Sequence, residues 1–187
     1  MAGGKAELAN DPELEAVTAL YARHAPDLRG GSGERLPRLD TAAEEHLRLA
    51  AERPPGEVLV RVRSESAGVG ATAEIVTDDM PFLVGAVLVA VSKAGSEVRR
   101  LIHPIVVVRR TPDGKLAEVL GDADPATPPP ETVVESWIHL DLDQLPTGPD
   151  DLQRRLAEAI GHVRRVVGDT PAMTDRARAV ADELTSA

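Results

Sequence analysis

The segment from Thr72 to Arg110 constrains the fold of this chain more than any other stretch. Its residues predict a short strand over Thr72–Thr77, an apolar helix over Met80–Ala94 and a long strand over Val98–Arg110. A Pro-Asp-Gly sequence within Thr111–Lys115 then predicts a hairpin turn. A strand–helix–strand unit this short, followed by a tight turn, is typical of a compact sandwich of the ferredoxin-like kind.

The remaining segments predict a sheet with helices on one face. Alternation of apolar and polar residues predicts half-buried strands over Glu57–Arg63 and Thr132–Leu142. Apolar residues four apart, from Leu152 to Val167, predict a helix that ends at Gly168. We therefore expect an α+β fold, a ferredoxin-like sandwich whose antiparallel sheet carries two helices on one face, with helical extensions at both ends.

Changes in composition along the chain suggest three parts. Residues 1–55 are expected to form a helical, partly flexible N-terminal arm, with short helices over 12–24 and 41–52. Residues 56–170 are expected to form the α+β domain. Residues 171–187 form a third amphipathic segment with no helix-ending signal, which we interpret as a helix that leads into a longer protein.

Bulk composition excludes several classes of function. The net charge is −10, with 31 acidic residues against 21 basic ones, so a nucleic-acid backbone is not an expected partner. The chain has no cysteine, which excludes disulfides and thiolate metal sites. Its apolar stretches fall short of the ~18 residues that predict a membrane span, and its N-terminus lacks a signal core. We expect a cytoplasmic protein without a membrane partner.

No motif in the chain predicts a catalytic or metal site. The sequence Gly68–Ala73 matches G-x-G-x-x-A, but a strand rather than a helix follows it, so no dinucleotide site is expected. His103, His139 and His162 lack a second ligand at metal spacing. We expect His103 to be a hydrogen-bonded structural residue beside Pro104, which predicts an edge or a bulge. No nucleophile context surrounds the serines Ser66, Ser92 and Ser136.

The start of the first core helix is the candidate ligand site. Asp78 and Asp79 precede Met80-Pro81, so capping of the helix is the ordinary interpretation, and paired acid–base carboxylates are the alternative. Free N–H groups in a first helical turn can also bind a small ligand. The candidate effector-binding residues are Asp78, Asp79, Met80, Pro81 and Phe82.

Two surfaces are candidates for contact with a partner. The helix over Met80–Ala94 is apolar nearly all round, which is typical of a helix covered on two sides. Trp137 and His139 are expected on the sheet face away from the helices, where a partner covers them or a lone exposed tryptophan is tolerated. The candidate interface residues are Val84, Leu88, Val91, Trp137 and His139.

Three motifs carry a resemblance to a known family. Thr72–Val84, Leu101–Arg109 and Glu135–Leu140 resemble, in the same order, segments of the N-terminal region of large bacterial NAD-specific glutamate dehydrogenases. That region is similar to ACT domains, ferredoxin-like modules associated with amino-acid sensing and subunit assembly. The resemblance implies that NAD binding and glutamate oxidation lie far downstream, so no cofactor is expected in this segment. It also implies self-association or contact with downstream domains, and an amino-acid effector.

Two departures from the family pattern favour assembly over sensing. Gly85-Ala86 follow Phe-Leu-Val where the family usually has Asp-Ser. ACT modules that bind amino acids tend to have glycine after the proline, and here Phe82 fills that position. We expect a non-catalytic, ACT-like regulatory or assembly module of an NAD-dependent glutamate dehydrogenase. The alternatives are a stand-alone amino-acid-binding sensor and a small enzyme of another type.

Overall fold

The computed structural model describes residues 12–25, 39–64 and 70–186, for most of 171–186 the backbone alone. In chain order the elements are α1 (Pro12–His24), α2 (Leu39–Ala50), β1 (Leu59–Ser64), β2 (Ala71–Asp78), α3 (Leu83–Lys93), β3 (Val98–Ile102), β4 (Ile105–Arg110), β5 (Leu116–Val119), β6 (Val133–Leu142) and α4 (Pro149–Ser186). None of the described helices has both the length and the apolar character needed to cross a membrane.

The strands form one antiparallel sheet in the order β1-β2-β6-β4-β5, and β3 also pairs with β6. The long strand predicted over Val98–Arg110 is thus divided into two strands on the same edge of β6. They meet at His103-Pro104, because proline has no N–H to donate to the ladder. The backbone N–H of Trp137 donates instead to the carbonyl of Pro104 at 3.1 Å.

The topology confirms the predicted α+β, ferredoxin-like and ACT-like architecture. The sequence β2–α3–β3/β4–β6–α4 forms the split β-α-β arrangement, in which β6 lies between β2 and β4. In the usual β-α-β-β-α-β order the last strand follows the second helix, whereas here β1 precedes the unit and pairs with β2. The outer strand therefore comes from the N-terminal side of the domain.

Alternate residues of each central strand face two different hydrophobic cores. The α3–α4 core contains residues of both helices packed on one sheet face: Leu83, Val87, Val91, Leu152, Leu156 and Ile160 against Ala73, Ile75, Ile138 and Leu140. The α1–α2 core contains Val17, Leu20, Tyr21, Ala42, Ala43 and Leu47 against Val76, Val106, Val108 and Trp137. The molecule therefore has three layers, with the sheet in the middle.

The expectation of an exposed sheet face is wrong. Trp137 is 0% and His139 1% exposed, because α1 and α2 of the same chain cover them. Both short N-terminal helices were predicted, but their packing on the sheet was not. Alanines on the buried side of α2 let it pack in the α1–α2 core, and this packing stabilises a helix that is too short to be stable in isolation.

The last helix also differs from its prediction. It continues from Pro149 through Gly168 to Ser186, and the boundary predicted at residue 170 falls inside it. A glycine ends a helix by adopting a positive φ, and Gly168 does not do so. The stripe from Leu152 to Ile160 packs in the core, and the rest of the helix continues beyond it.

Candidate functional site

The connection between β2 and α3 has a different geometry from the predicted capped helix start. α3 begins at Leu83 rather than Met80, and its N-cap residue is Phe82, which has a φ of 71° and makes no side-chain capping bond. Asp78 and Asp79 therefore do not cap this helix. The backbone N–H of Asp79 instead donates to the carbonyl of Val134 at 3.1 Å, which ties the connection to β6.

Asp78 is held by two arginines that are distant in sequence. Its Oδ1 accepts a hydrogen bond from Arg53 Nη2 at 2.8 Å, and its Oδ2 accepts one from Arg164 Nη2 at 3.0 Å. Arg164 also donates to Thr77 Oγ1 at 3.1 Å. Asp78 thus links the end of β2 to the segment after α2 and to the middle of α4.

Glu135 is the centre of a buried charged cluster. It is 0% exposed and accepts hydrogen bonds from Arg53 Nε at 2.9 Å, from Arg110 Nε at 2.6 Å and from Trp137 Nε1 at 2.9 Å. Burial alone raises the pKa of Glu135, but the hydrogen bond and charge of Arg110, with Trp137 and Arg53, outweigh it and hold the pKa below its ordinary value. Glu135 is therefore an ionised structural centre whose lone pairs are occupied.

Ser136, Asp79 and His103 form a hydrogen-bonded chain, but in the wrong direction for a nucleophile. Ser136 Oγ donates to Asp79 Oδ1 at 2.6 Å, so His103 Nε2, 3.0 Å away, must donate to Ser136. An activated serine requires the reverse, with histidine as the acceptor. Ser136 is also 0% exposed. The hydrogen bond to Ser136 confirms the prediction that His103 is a hydrogen-bonded residue beside Pro104. Burial lowers the pKa of the His103 imidazole.

A cluster of rings joins α1 and α2 to the sheet. Tyr21 Oη donates to His46 Nδ1, and His46 Nε2 donates to the carbonyl of Ile75 at 3.0 Å. His46 stacks on Trp137, with centroids 5.1 Å apart. Burial, followed by the neighbouring His139, lowers the pKa of His46 to about 3, so its ring is neutral. His139 Nε2 lies 3.2 Å from Asp141 Oδ1, whose carboxylate also pairs with Arg100.

An apolar groove separates α3 from α4 on the outer surface of the molecule. It has a volume of about 350 Å³. Residues from both helices line it: Phe82, Ala86, Val89, Ala159, His162, Val163 and Val166. Phe82 is 74%, Val166 61% and Val89 53% exposed, so three large apolar side chains meet water at this place. Its polar end is lined by Lys93, Arg155 and Glu158.

The predicted site residues are thus divided between these places. Phe82 lines the groove, whereas Asp78 belongs to the arginine cluster and Asp79 to the Ser136 chain. Among the candidate interface residues, Leu88 is exposed, Val84 is half-buried and Val91 is in the α3–α4 core. An effector site at 78–82 and an interface through Val84 and Leu88 remain predictions.

Two other candidates can be located in part. Ser66 and the first glycine of the G-x-G-x-x-A sequence lie outside the described residues, but the sequence continues as β2 from Ala71, as expected. Within residues 12–25, 39–64 and 70–186, no three His, Asp or Glu side chains are arranged to hold a metal ion.

Sequence reasoning missed the arginine cluster and most of the groove. Arg53 is 1% exposed, although arginine in a loop normally predicts a solvated side chain. The groove had a usable signal, because Val89 lies on the apolar helix α3 and Val163 continues the stripe of α4. The relation of the two helices could not be predicted from either pattern alone.

A family model and two curated relatives that match this chain all describe glutamate dehydrogenases. The family model described as "Glutamate dehydrogenase, ACT1 domain" matches residues 20–158. An NAD-specific glutamate dehydrogenase of Halomonas elongata is 30% identical over 112 residues, which cover 59% of this chain and 7% of that protein. One from Pseudomonas aeruginosa is 28% identical over 107 residues, covering 56% and 6%. The chain thus spans a small fraction of these relatives, and no solved structure matches it.

Proposed function

This chain belongs to the glutamate dehydrogenase ACT1 domain family, and from that premise we propose that it is a non-catalytic regulatory or assembly module of an NAD-dependent glutamate dehydrogenase. In this proposal the parent enzyme oxidises glutamate to 2-oxoglutarate, and its NAD and glutamate bind outside this domain. The ACT1 module holds subunits or domains of the enzyme together through its helical surface.

The exposed groove between α3 and α4 is the observation that carries the proposal. Helices cover both faces of the sheet: α1 and α2 cover one face, and α3 and α4 cover the other. The outer surface of α3 and α4 nevertheless displays Phe82, Val89 and Val166 to solvent. A contiguous apolar surface rimmed by polar residues marks a site of contact with protein or ligand. A helical face of this kind suits an assembly role.

The use of the polar side chains supports a module without a reaction centre. The Asp78 and Glu135 carboxylates are engaged by arginines, and the Ser136 hydroxyl by Asp79. General acid–base and nucleophilic catalysis need such groups within reach of a substrate. In this domain they join elements of the fold instead.

An enzymatic assay with the purified chain tests the absence of catalysis. The chain is supplied with glutamate and NAD⁺, and NADH formation is followed by absorbance. We expect no turnover above a boiled control. Steady NADH formation by the chain would overturn the proposal, because it would place a reaction centre in this domain.

Thermal unfolding with each of the twenty amino acids separates assembly from sensing. A ligand present at 100 times its Kd stabilises the folded state by about 2.7 kcal/mol, which is readily seen as a rise in Tm. For the chiral amino acids, the D-enantiomers serve as controls for non-specific effects. We expect no stereospecific rise, and a rise with one L-amino acid would make amino-acid sensing the function instead.

A further inference from the structure

We propose that the groove between α3 and α4 receives Phe82 from a second copy of this chain, in a two-fold symmetric contact between the helical layers. This inference rests on the proposed assembly function and names its partner. It concerns the apolar groove lined by Phe82, Val89, Val163 and Val166, together with its charged end at Lys93 and Glu158.

Phe82 has two unfavourable features in a single chain. Its φ of 71° lies in the left-handed region, which a bulky residue rarely adopts and which glycine would occupy without strain. Its ring is also 74% exposed to water. Strained residues persist where their geometry is used. Here the strained backbone projects an aromatic ring from the surface, and burial of that ring against a partner would offset both costs.

The groove has the composition to receive such a ring. Small side chains, Ala86 and Ala159, lie on its two walls and leave room between the helices. Val89, Val163 and Val166 supply apolar surface around them. A buried aromatic anchor in an apolar pocket is the usual centre of a protein interface.

The charged end of the groove is complementary to itself. Lys93 projects from α3 and Glu158 from α4. Within the described part of the chain Lys93 forms no ion pair, and Glu158 contacts Arg154 through side chains that are both 58% exposed. Arg155, also on the α4 wall, is already paired with Asp151. Lys93 and Glu158 thus lie on opposite walls as a cation and a carboxylate that can pair with the same two residues of a second copy.

One two-fold axis satisfies both contacts. Phe82 and Val166 line one stretch of the groove, and Lys93 and Glu158 line the other, so α3 and α4 run antiparallel along it. A two-fold axis parallel to the groove places α3 of one copy opposite α4 of the other. Phe82 then meets Val166 of the second copy, and Lys93 meets its Glu158, each contact occurring twice.

Light scattering and sedimentation over a range of chain concentrations test this contact. We expect the wild-type chain to form a dimer and the substitution Phe82→Gly to weaken it by about thirty-fold or more, as loss of an interface anchor does. Phe82→Gly also relieves the positive φ. The Tm of the dilute, monomeric variant should therefore equal or exceed that of dilute wild type, which separates loss of contact from loss of fold.

Charge reversal gives a second, independent measurement. Lys93→Glu and Glu158→Lys should each weaken the dimer, and the double variant should restore most of the affinity, because it recreates both pairs with exchanged signs. Val133→Ala is the control for loss of an exposed apolar side chain, since Val133 is 37% exposed on β6 outside the groove. It should leave dimerisation unchanged.

Two outcomes would overturn the inference. One is a wild-type chain that stays monomeric from micromolar to millimolar concentration, which would leave the groove to another domain or a small apolar ligand. The other is a dimer that Phe82→Gly and both charge reversals leave intact, which would place the contact on another surface. The proposed function fails by other readouts, namely NADH formation by the chain or a stereospecific rise in Tm with an amino acid. Failure of the dimer contact is therefore distinguishable from failure of the proposed function.

Discussion

His46 on α2 stacks on Trp137 in β6, with ring centroids 5.1 Å apart and ring planes inclined by 15°. This contact brings the N-terminal helices onto the centre of the sheet. Tyr21 on α1 completes it by donating to His46, and neither Tyr21 nor Trp137 is exposed. The described helices α1 and α2 thus form a layer that packs on the sheet.

Substitution within α2 tests that layer through the fluorescence of Trp137, the one tryptophan in the chain. Ala43 is 0% exposed in the α1–α2 core, so Ala43→Arg should displace the helix and open Trp137 to acrylamide quenching. Thr41→Arg, at an exposed position of the same helix, should leave the quenching low. Equal protection of Trp137 in both variants would show that α2 does not cover it.

The buried His46 predicts loss of stability in mild acid. Its folded pKa of about 3 lies below the ordinary value of 6.5, so below about pH 6.5 the unfolded state binds a proton that the folded state does not. The free energy of unfolding should therefore fall as the pH drops from about 6.5 towards 5, by up to about 1.4 kcal/mol per pH unit. The lowered pKa of Glu135 adds a further loss of unfolding free energy only when the pH falls below the ordinary carboxyl value of 4.5.

Urea unfolding at several pH values provides the measurement. His46→Gln removes the titration, so its slope of unfolding free energy against pH should be shallower than that of wild type in this window. A His46→Gln variant as steep as wild type would rule out His46 as the source.

Removing the Glu135 carboxylate should strongly destabilise the fold. Glu135→Ala leaves Arg53 and Arg110 buried without their shared partner, for which we expect a loss of about 3 to 5 kcal/mol in the free energy of unfolding. Glu135→Gln keeps one acceptor oxygen, although its amide nitrogen cannot accept a hydrogen bond, so it should lose less than Glu135→Ala and still destabilise the fold. Both losses are measured by urea unfolding.

The control for Glu135 is an ion pair at the surface. Glu118 pairs with Arg109, and their side chains are 50% and 42% exposed, so Glu118→Ala should change the free energy by no more than about 1 kcal/mol. If Glu135→Ala and Glu118→Ala had similar effects, the buried cluster would not be a stabilising centre of the fold.

Two glycines should respond to alanine with opposite signs. Gly85 lies on α3 with nothing within 4 Å of an added Cβ, so Gly85→Ala should stabilise the protein by up to about 1 kcal/mol. Gly114 has a φ of +89°, and an added Cβ would lie 2.5 Å from the carbonyl oxygen of Arg53, so Gly114→Ala should destabilise it by more than that. Thermal unfolding checks both, and a stabilised Gly114→Ala would contradict the described turn.

The periodicity of apolar residues predicted several strands and helices within one or two residues of their observed ends. The strand predicted over Thr72–Thr77 is β2 (Ala71–Asp78), and that over Thr132–Leu142 is β6 (Val133–Leu142). In both, the apolar residues face a core on at least one side of the sheet, so periodicity alone was informative. The helix over 12–24 is α1 without change.

Long-range contacts explain what the sequence did not predict. Asp78-Asp79 before a proline is a good local capping signal, but Arg53 and Arg164 engage Asp78, and Ser136 engages Asp79. Helix α3 consequently starts three residues later than predicted. Trp137 seemed available to a partner because no local rule shows that α1 and α2 fold back over β6.

The molar mass of the purified chain, determined by light scattering over a concentration series, tests self-association through the α3–α4 groove most directly. We predict a concentration-dependent rise to twice the mass of one chain, driven by the apolar surface of α3 and α4. A mass that stays at one chain up to the highest soluble concentration would contradict self-association through that surface.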